Sequence, residues 1–153
     1  MADPELRAAD RTWLHMAIDL SARCDPSPTA FSVGAVVVGA NDQLLATGYS
    51  RETDPTVHAE EAALSKLAAG DSWLPNATMY SSMEPCGRRR SRPRTCAQLI
   101  IDAGIRRVVY ALTEPPVFVA ATGAQVLRAA GVHVIEITDL APEAHKINRH
   151  LLT

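Results

Sequence analysis

The hydrophobic and polar positions along the chain predict helices that alternate with strands. Near the start, apolar residues recur every three or four positions, which is the spacing of one face of an α-helix. These residues are Leu6, Ala9, Trp13, Ala17 and Leu20. Asp3, Pro4 and Glu5 suit the cap, the first position and the positive end of this helix. The turn-forming segment CDPSP at 24–28 predicts where the helix ends.

Beyond this helix the pattern predicts a hairpin, followed by strands that alternate with helices. Small and β-branched residues at 33–38 predict one strand, and Leu44–Tyr49 the returning strand, with a turn at Asn41 and Asp42 between them. Further strands are predicted at 77–82, Arg107–Leu112 and 132–137, and further helices at 58–69, 95–103, 122–130 and 141–150. Glycines that predict the ends of three of these helices are Gly70, Gly104 and Gly131. The order predicts an α/β fold, a three-layer α/β/α sandwich with a five-stranded mixed sheet.

The composition is that of a globular protein with one domain. The chain has 153 residues, of which 47% are hydrophobic and 21% charged, enough to bury a core without disulfide bonds. No apolar run approaches the roughly 18 residues of a membrane-spanning helix. The opening residues MADPELRAAD contain no basic patch followed by an apolar stretch, so we expect no secretory signal and a cytoplasmic location.

Charge and cysteine content narrow the possible functions. Fifteen basic residues against seventeen acidic ones give a net charge of -2, without the broad basic excess of nucleic-acid-binding proteins. Three cysteines in such a chain argue against a disulfide framework and for a thiol or metal role. We interpret Cys24 as an ordinary core residue, because a free cysteine behaves as a small hydrophobe.

Three short segments contain residues with metal-binding chemistry. They are His58 and Glu60 in the sequence HAE, Cys86 in the sequence EPC, and Cys96. One imidazole and two thiolates form the ligand set of a catalytic zinc site that keeps a fourth position for water. Glu60 follows His58 by two residues, an offset that suits a proton shuttle better than a ligand. H-x-E followed by P-C-x-x-C is the signature of zinc nucleobase deaminases.

The spacing of the two cysteines departs from that signature. Nine residues separate Cys86 from Cys96, so this segment must leave the metal and return to it as a loop. H-x-E alone or P-C alone occurs often by chance, but their combination at predicted helix starts favours a metal site. A purely structural zinc site would need a fourth protein ligand, such as His133 or another histidine.

The loop between the cysteines concentrates positive charge. Five arginines fall within seven positions, namely Arg88, Arg89, Arg90, Arg92 and Arg94. One interpretation is a solvated loop in a chain that uses 13 arginines and two lysines. The other is recognition of a substrate phosphate by planar guanidinium groups.

Long stretches of the chain, from about residue 12 to 150, resemble the cytidine-deaminase superfamily. These stretches are FSVGAVVV (31–38), TGYSRETDPTVHAEEAAL (47–64), MYSSMEPCGRRRSRPRTC (79–96), AGIRRVVYALTEPPVFV (103–119) and LRAAGVHVIEI (127–137). Within the superfamily, the chain resembles the pyrimidine deaminases of riboflavin biosynthesis. The T-G-Y-S-R-E and E-P-P-x-F-V stretches resemble the fungal type, which acts after the ribose has been reduced to ribityl. TAFSVG stands where the bacterial type has P-N-P-x-V-G.

The resemblance implies a cytidine-deaminase-like fold and a role for each motif residue. His58, Cys86 and Cys96 would bind Zn²⁺, and Glu60 would move protons. The residues expected to contact the substrate are Phe31, Ser50, Arg51, Arg88, Arg90, Arg92 and Phe118. The implied partner is a small aminopyrimidine with or without a phosphate, in a homodimer or higher homo-oligomer, with no nucleic acid and no membrane.

The function expected from the resemblance is hydrolytic deamination by one domain spanning residues 1–153. The expected substrate is 2,5-diamino-6-ribitylamino-4(3H)-pyrimidinone 5'-phosphate or a close analogue in riboflavin synthesis. One alternative is a deaminase of a free nucleobase or nucleoside, such as cytosine or guanine. A tRNA- or DNA-editing deaminase is disfavoured by the net charge, and a catalytically silent relative is disfavoured by the intact Glu60.

Overall fold

The computed structural model describes residues 6–68 and 70–152. Its strands are β1 (Gly34–Val38), β2 (Leu44–Tyr49), β3 (Thr78–Met83), β4 (Arg107–Leu112) and β5 (His133–Glu136). Its α-helices are α1 (Asp10–Ser21), α2 (Ala59–Leu64), α3 (Cys96–Ala103), α4 (Gly123–Ala129) and α5 (Ala141–Ile147). The strands form one sheet in the order β2-β1-β3-β4-β5. Because β1 runs antiparallel to β2 and β3 while β3, β4 and β5 are parallel, the predicted five-stranded mixed sheet is confirmed.

Helices cover both faces of the sheet. The site face is the one that packs against α2, α3 and α4, and it includes Val37 and Val108. The ion-pair face packs against α1 and α5, and it includes Val36 and Val109. Since successive residues of a strand point to opposite faces, the central strands are apolar on both sides. This is the predicted three-layer sandwich.

The first helix is shorter at its start than the pattern predicts. It begins at Asp10, whose carboxylate accepts a hydrogen bond from the backbone N–H of Arg7 at 2.7 Å. Residues 6–9 therefore precede the helix, and Asp10 occupies its first turn. Asp3, Pro4 and Glu5, which we expected to start it, lie outside the described residues. The helix ends at Ser21, before the CDPSP segment, as predicted.

The helix predicted at 58–69 ends after one and a half turns, at Leu64. The hydroxyl of Ser65 donates to the carbonyl of Ala62 at 2.7 Å, an acceptor that the next helical turn would need. The backbone N–H of Lys66 then bonds to Ala63, three residues back, and the chain continues as turns. A side-chain hydrogen bond therefore ends this helix before the glycine that was expected to do so.

The other helix ends follow the prediction more closely. Gly104 and Gly131 have φ of 83° and 86°, a left-handed conformation that favours glycine. The last helix, predicted at 141–150, is interrupted at Asn148, and a short 3₁₀ turn follows at Arg149–Leu151. Within residues 6–68 and 70–152, no helix has the length and apolar character needed to cross a membrane.

A buried ion pair joins α1 to the sheet on the ion-pair face. Arg107 donates to both carboxylate oxygens of Asp10, at 2.8 and 2.6 Å. The Tyr80 hydroxyl donates to the same carboxylate at 2.6 Å. Burial alone would raise the pKa of Asp10, but the hydrogen bonds from Arg107 and Tyr80 hold this pKa below its usual value. The fully partnered charge fixes α1 across β3 and β4.

Candidate active site

The three predicted metal ligands meet on the site face. His58 immediately precedes α2, Cys96 is the first residue of α3, and Cys86 follows the end of β3. The His58 Nδ1 atom lies 3.3 Å from Cys96 Sγ and 3.6 Å from Cys86 Sγ. Zn–S bonds of about 2.3 Å and Zn–N bonds of about 2.0 Å separate tetrahedral ligand atoms by roughly 3.5 Å. The spacing of these atoms therefore fits a zinc ion.

The number of ligands leaves one tetrahedral position open. Among the described residues, the group of possible metal ligands contains His58, Cys86 and Cys96 and no fourth member. His133, the candidate for a fourth ligand, lies in β5 outside this group. Three protein ligands with one open position are the arrangement of catalytic zinc sites, whereas structural sites use four.

Backbone packing fixes the segment that carries Cys86. A Cβ atom on Gly123, at the start of α4, would lie 1.6 Å from the carbonyl oxygen of Pro85, so only glycine fits there. Glu84 is buried and accepts hydrogen bonds from the backbone N–H groups of Glu114 at 3.0 Å and Ala124 at 2.8 Å. These contacts tie the end of β3 to the segments that follow β4.

Hydrogen bonds within the metal-binding group give the thiols of Cys86 and Cys96 different pKa values. The backbone N–H of Cys96 donates to Cys86 Sγ at 3.2 Å. Hydrogen bonding from the side chains of Cys96 and His58 outweighs burial and lowers the pKa of Cys86 to about 4. The same pairing, together with burial, raises the pKa of Cys96. Cys86 is therefore held as a thiolate, which is the form that binds a metal.

Glu60 lies beside this group in the first turn of α2. Its side chain is buried, and Ser81 Oγ, which also donates to the Met83 carbonyl, lies 3.3 Å from Glu60 Oε1. Burial raises the pKa of Glu60, and the negative charge of Cys86 raises it further. A raised pKa makes a carboxylate a stronger base, which suits the acceptance of a proton from water.

A cavity of about 570 Å³ opens next to His58, Glu60 and Cys86. Phe31 and Phe118 form part of its wall, with ring centroids 5.1 Å apart and planes inclined at 64°. Six of the seven residues predicted to contact the substrate line the cavity, namely Phe31, Ser50, Arg51, Arg88, Arg90 and Phe118. Arg92 is not among its lining residues.

The arginines of the loop divide into two groups. Arg89 donates to Glu61 at 2.8 Å, Arg92 donates to Asp54 at 2.7 and 2.8 Å, and Arg94 pairs with Asp102. Arg92 also pairs with Glu61 at 3.1 Å. These three arginines therefore anchor the loop to its surroundings.

Arg88 and Arg90 differ from these three. Both are exposed at the mouth of the cavity, and neither has a carboxylate partner among the described residues. Arg89, Arg92 and Arg94 therefore fit the interpretation of the loop as a solvated segment with ion pairs. Arg88 and Arg90 are the two arginines that still fit the interpretation of the loop as a phosphate-binding segment.

Ser50 and Arg51 support the cavity wall. Ser50 Oγ accepts a hydrogen bond from the backbone N–H of Val33 at 2.9 Å. The Arg51 guanidinium donates to the Phe31 carbonyl at 3.1 Å and to Ser32 Oγ at 2.8 Å. Arg51 has φ of 61°, a strained backbone conformation that these contacts hold in place. Both residues thus position the segment that carries Phe31.

The sequence analysis missed Glu114, a second carboxyl group in the cavity. Glu114 follows β4 and is buried, and its Oε1 atom has no hydrogen-bond partner within the described part of the chain. Burial and the nearby charge of Cys86 raise the pKa of Glu114 to about 8. The signal was its place in the chain, because β3 and β4 are parallel and the residues after them meet at one edge.

Cys24 stands apart from the metal-binding group. Its side chain is half-buried, and its Sγ atom lies 3.7 Å from the carbonyl oxygen of Val33. Cys24 belongs to neither core cluster of the described residues, so the expectation that it is a core residue is wrong.

Comparison with known proteins agrees with this site. The model of the cytidine and deoxycytidylate deaminase zinc-binding region matches residues 7–112. A diaminohydroxyphosphoribosylamino-pyrimidine deaminase of Schizosaccharomyces pombe is 42% identical over 126 residues, which are 81% of this chain and 31% of that relative. The chain thus spans about a third of the length of this curated relative.

Solved structures show the same fold. Acinetobacter baumannii RibD matches with a TM-score of 0.80 and 32% identity, over 94% of this chain and 39% of that one. The Aspergillus oryzae Rib2 deaminase, a C-terminal deletion mutant, matches with a TM-score of 0.79 and 28% identity, over 90% of this chain and 89% of that one. The same Rib2 deaminase has been solved in complex with DARIPP. The chain belongs to the cytidine and deoxycytidylate deaminase zinc-binding family.

Proposed function

We propose that this chain, as a single domain over residues 1–153, is a zinc-dependent deaminase that releases ammonia from an aminated pyrimidine. One observation carries the proposal: the triangle of His58, Cys86 and Cys96 opens onto the same cavity as the buried carboxyl group of Glu60. A metal position with an open site and an adjacent proton carrier are the two parts that hydrolytic deamination requires.

The residues divide the chemistry between them. His58 Nδ1 and the sulfur atoms of Cys86 and Cys96 would hold the zinc ion, which supplies a Lewis acid that makes water nucleophilic near neutral pH. Glu60 accepts one proton from the attacking water and delivers it to the ring nitrogen, while the oxygen attacks the ring carbon that bears the exocyclic amine. Glu60 then moves the second proton of that oxygen to the amine. Ammonia departs, and the carbon that bore the amine becomes a carbonyl group.

For the substrate, we propose 2,5-diamino-6-ribitylamino-4(3H)-pyrimidinone 5'-phosphate or a close analogue in riboflavin synthesis. The names of the similar deaminases support this class. In the cavity, Phe31 and Phe118 offer aromatic walls for a pyrimidine ring. Arg88 and Arg90, which have no carboxylate partner in the described part of the chain, offer two guanidinium groups for a phosphate. Arg92 is a weaker candidate for this contact, because Asp54 and Glu61 already occupy its guanidinium.

The proposal is tested by metal analysis and an ammonia-release assay. We expect about one zinc ion per chain and ammonia from the ribitylaminopyrimidine phosphate. Arg88→Ala and Arg90→Ala should each raise KM for the phosphorylated compound about tenfold, since each removes a charged hydrogen-bonding group. The matched control is Arg94→Ala, which removes an exposed arginine that pairs with Asp102.

The same assay separates the second candidate, a deaminase of free nucleobases or nucleosides. That function predicts ammonia from cytosine, cytidine or guanine. It also predicts that Arg88→Ala and Arg90→Ala leave KM for these compounds unchanged and do not raise KM for a phosphorylated compound. A protein without zinc, or one that releases no ammonia from any of these compounds, would contradict the proposed enzyme class.

We also propose a cytoplasmic location and a homodimer or higher homo-oligomer. The location is supported by two cysteine ligands that must remain reduced to bind a metal. The oligomer is supported by the family resemblance. Light scattering of the purified chain at several concentrations measures its mass in solution. The mass of a single chain at every concentration would contradict the proposed oligomer.

A further inference from the structure

One wall of the cavity is held in place by a residue near the other end of the chain. Residues 29–31 line the cavity, and Ser32 connects them to β1. The side-chain amide of Asn148 binds the backbone of Ser32 in both directions. Asn148 Oδ1 accepts from the Ser32 N–H at 2.7 Å, and Asn148 Nδ2 donates to the Ser32 carbonyl at 3.0 Å.

The position of Asn148 explains the interruption of the last helix. Its side chain is 1% exposed and lies directly after α5. Besides its two bonds to Ser32, Asn148 Nδ2 donates to the carbonyl of Ala144 at 3.2 Å. An amide offers one acceptor and two donors, and here all three are used within one buried site. Asn148 thereby attaches the end of α5 to the wall of the cavity.

A second set of contacts holds the same wall from the opposite direction. Arg51 binds the Phe31 carbonyl and Ser32 Oγ, as described above, and it also donates to the Asp25 carbonyl at 2.8 Å. Arg51 and Asn148 together therefore bind the backbone of both Phe31 and Ser32. The Phe31 ring carried by this backbone lies 5.1 Å from the ring of Phe118.

We propose that Asn148 is a positioning residue that fixes the Phe31 wall and so sets the affinity of the cavity for the substrate ring. It is distant in sequence from every proposed ligand and catalytic group, and it lies outside the matched family region of residues 7–112. The identity of the substrate ring as a pyrimidine rests on the proposed function. The attachment of the Phe31 wall by Asn148 rests on the hydrogen bonds alone.

The test compares Asn148→Ala with a control variant that removes a buried hydrogen bond elsewhere. Tyr80→Phe is that control, because it removes a bond to Asp10 on the ion-pair face, away from the cavity. For Asn148→Ala we expect KM for the ribitylaminopyrimidine phosphate to rise about tenfold, with kcat changed less than about threefold, since two hydrogen bonds to the wall are lost. Zinc per chain should stay the same, and Tyr80→Phe should leave KM unchanged.

Two additions keep the test decisive. Asn148→Asp retains an acceptor for the Ser32 N–H but turns a carboxylate oxygen towards the carbonyls of Ser32 and Ala144, so KM should rise at least as much as in Asn148→Ala. Hydrogen exchange of the peptide covering 25–32 provides a readout that needs no activity, and it should become faster in Asn148→Ala than in Tyr80→Phe.

The outcomes separate the two proposals. A KM that stays constant in both Asn148 variants, or rises equally in Tyr80→Phe, would overturn the positioning role. If the wild-type chain releases no ammonia, the proposed function fails, and exchange alone then decides the positioning role. Unchanged exchange at 25–32 would overturn that role, and faster exchange confined to the Asn148 variants would support it.

Discussion

The two faces of the sheet each bury a carboxyl group, and they use it in opposite ways. Asp10 lies on the ion-pair face and receives hydrogen bonds from Arg107 and Tyr80. Glu60 lies on the site face, where its neighbours are the hydroxyl of Ser81 and the sulfur atoms of the metal-binding group. The pKa of Asp10 is held below its usual value, and the pKa of Glu60 is raised above it.

The difference arises from adjacent positions on one strand. Tyr80 and Ser81 are neighbours in β3 and point to opposite faces, and each lies against the carboxyl group of its own face. On the ion-pair face an arginine completes the charge balance. On the site face, no arginine or lysine of the described residues forms an ion pair with Glu60, and burial keeps its pKa raised. Burial depth alone therefore does not separate a structural acid from a functional one, whereas the partner does.

The largest expected effect comes from removing Glu60, the proposed proton carrier. Glu60→Gln keeps the shape of the side chain but cannot exchange a proton, so kcat for ammonia release should fall about 10²- to 10⁴-fold. Zinc content and the thermal midpoint should change little, because the ligands remain. Turnover near the wild-type level in a zinc-loaded variant would show that Glu60 does not carry the proton.

The corresponding change on the ion-pair face should affect stability instead. Asp10→Asn removes the buried carboxylate that accepts hydrogen bonds from Arg107 and Tyr80, so the free energy of unfolding should fall by about 3–5 kcal/mol. The folded fraction should keep its kcat. Urea denaturation followed by circular dichroism measures the loss, with Asp139→Asn as the control because Asp139 pairs with Arg11 on the surface. A loss no greater than that of the control would contradict the structural role of Asp10.

Glu114 extends the comparison to the pH dependence of stability. Its pKa is about 8 in the folded protein and near 4.5 when exposed. Between these values the folded state binds a proton that the unfolded state does not, so stability falls as pH rises through this window. From pH 5 to pH 9, wild type should lose roughly 4 kcal/mol more than Glu114→Gln.

The Glu114 measurement requires chelated protein, because metal affinity itself depends on pH. Denaturation curves of both proteins at pH 5, 7 and 9 give the difference directly. Parallel pH profiles for the two proteins would show that Glu114 does not retain its proton in this window.

Features encoded in short segments could be predicted from the sequence. The strands Leu44–Tyr49 and Arg107–Leu112 have the predicted limits, since alternation and β-branched runs are local signals. The candidate ligands His58, Cys86 and Cys96 could be predicted because ligand chemistry is restricted to few residue types, and the structure brings these three residues together.

Features that depend on distant partners could not be predicted in this way. Arg88 and Arg92 are indistinguishable in a run of arginines, and only the positions of Asp54 and Glu61 separate them. The end of α2 depended on one hydroxyl, that of Ser65, competing for a backbone carbonyl. Asn148 acts on Ser32, 116 residues earlier in the chain, so no local pattern reveals its role.

The smallest expected effect concerns Tyr80 and Ser81, the two neighbours on β3 that contact Asp10 and Glu60. Tyr80→Phe removes one hydrogen bond to Asp10 and leaves both bonds from Arg107, so it should cost about 1 kcal/mol of stability and leave kcat unchanged. Ser81→Ala, one residue later, should instead shift the pH profile of kcat, because it changes the surroundings of Glu60. Urea denaturation and pH–rate profiles of both variants measure these effects. If Tyr80→Phe moved the pH profile as much as Ser81→Ala, the two faces would be coupled, and the separation of structural from functional acid would not hold.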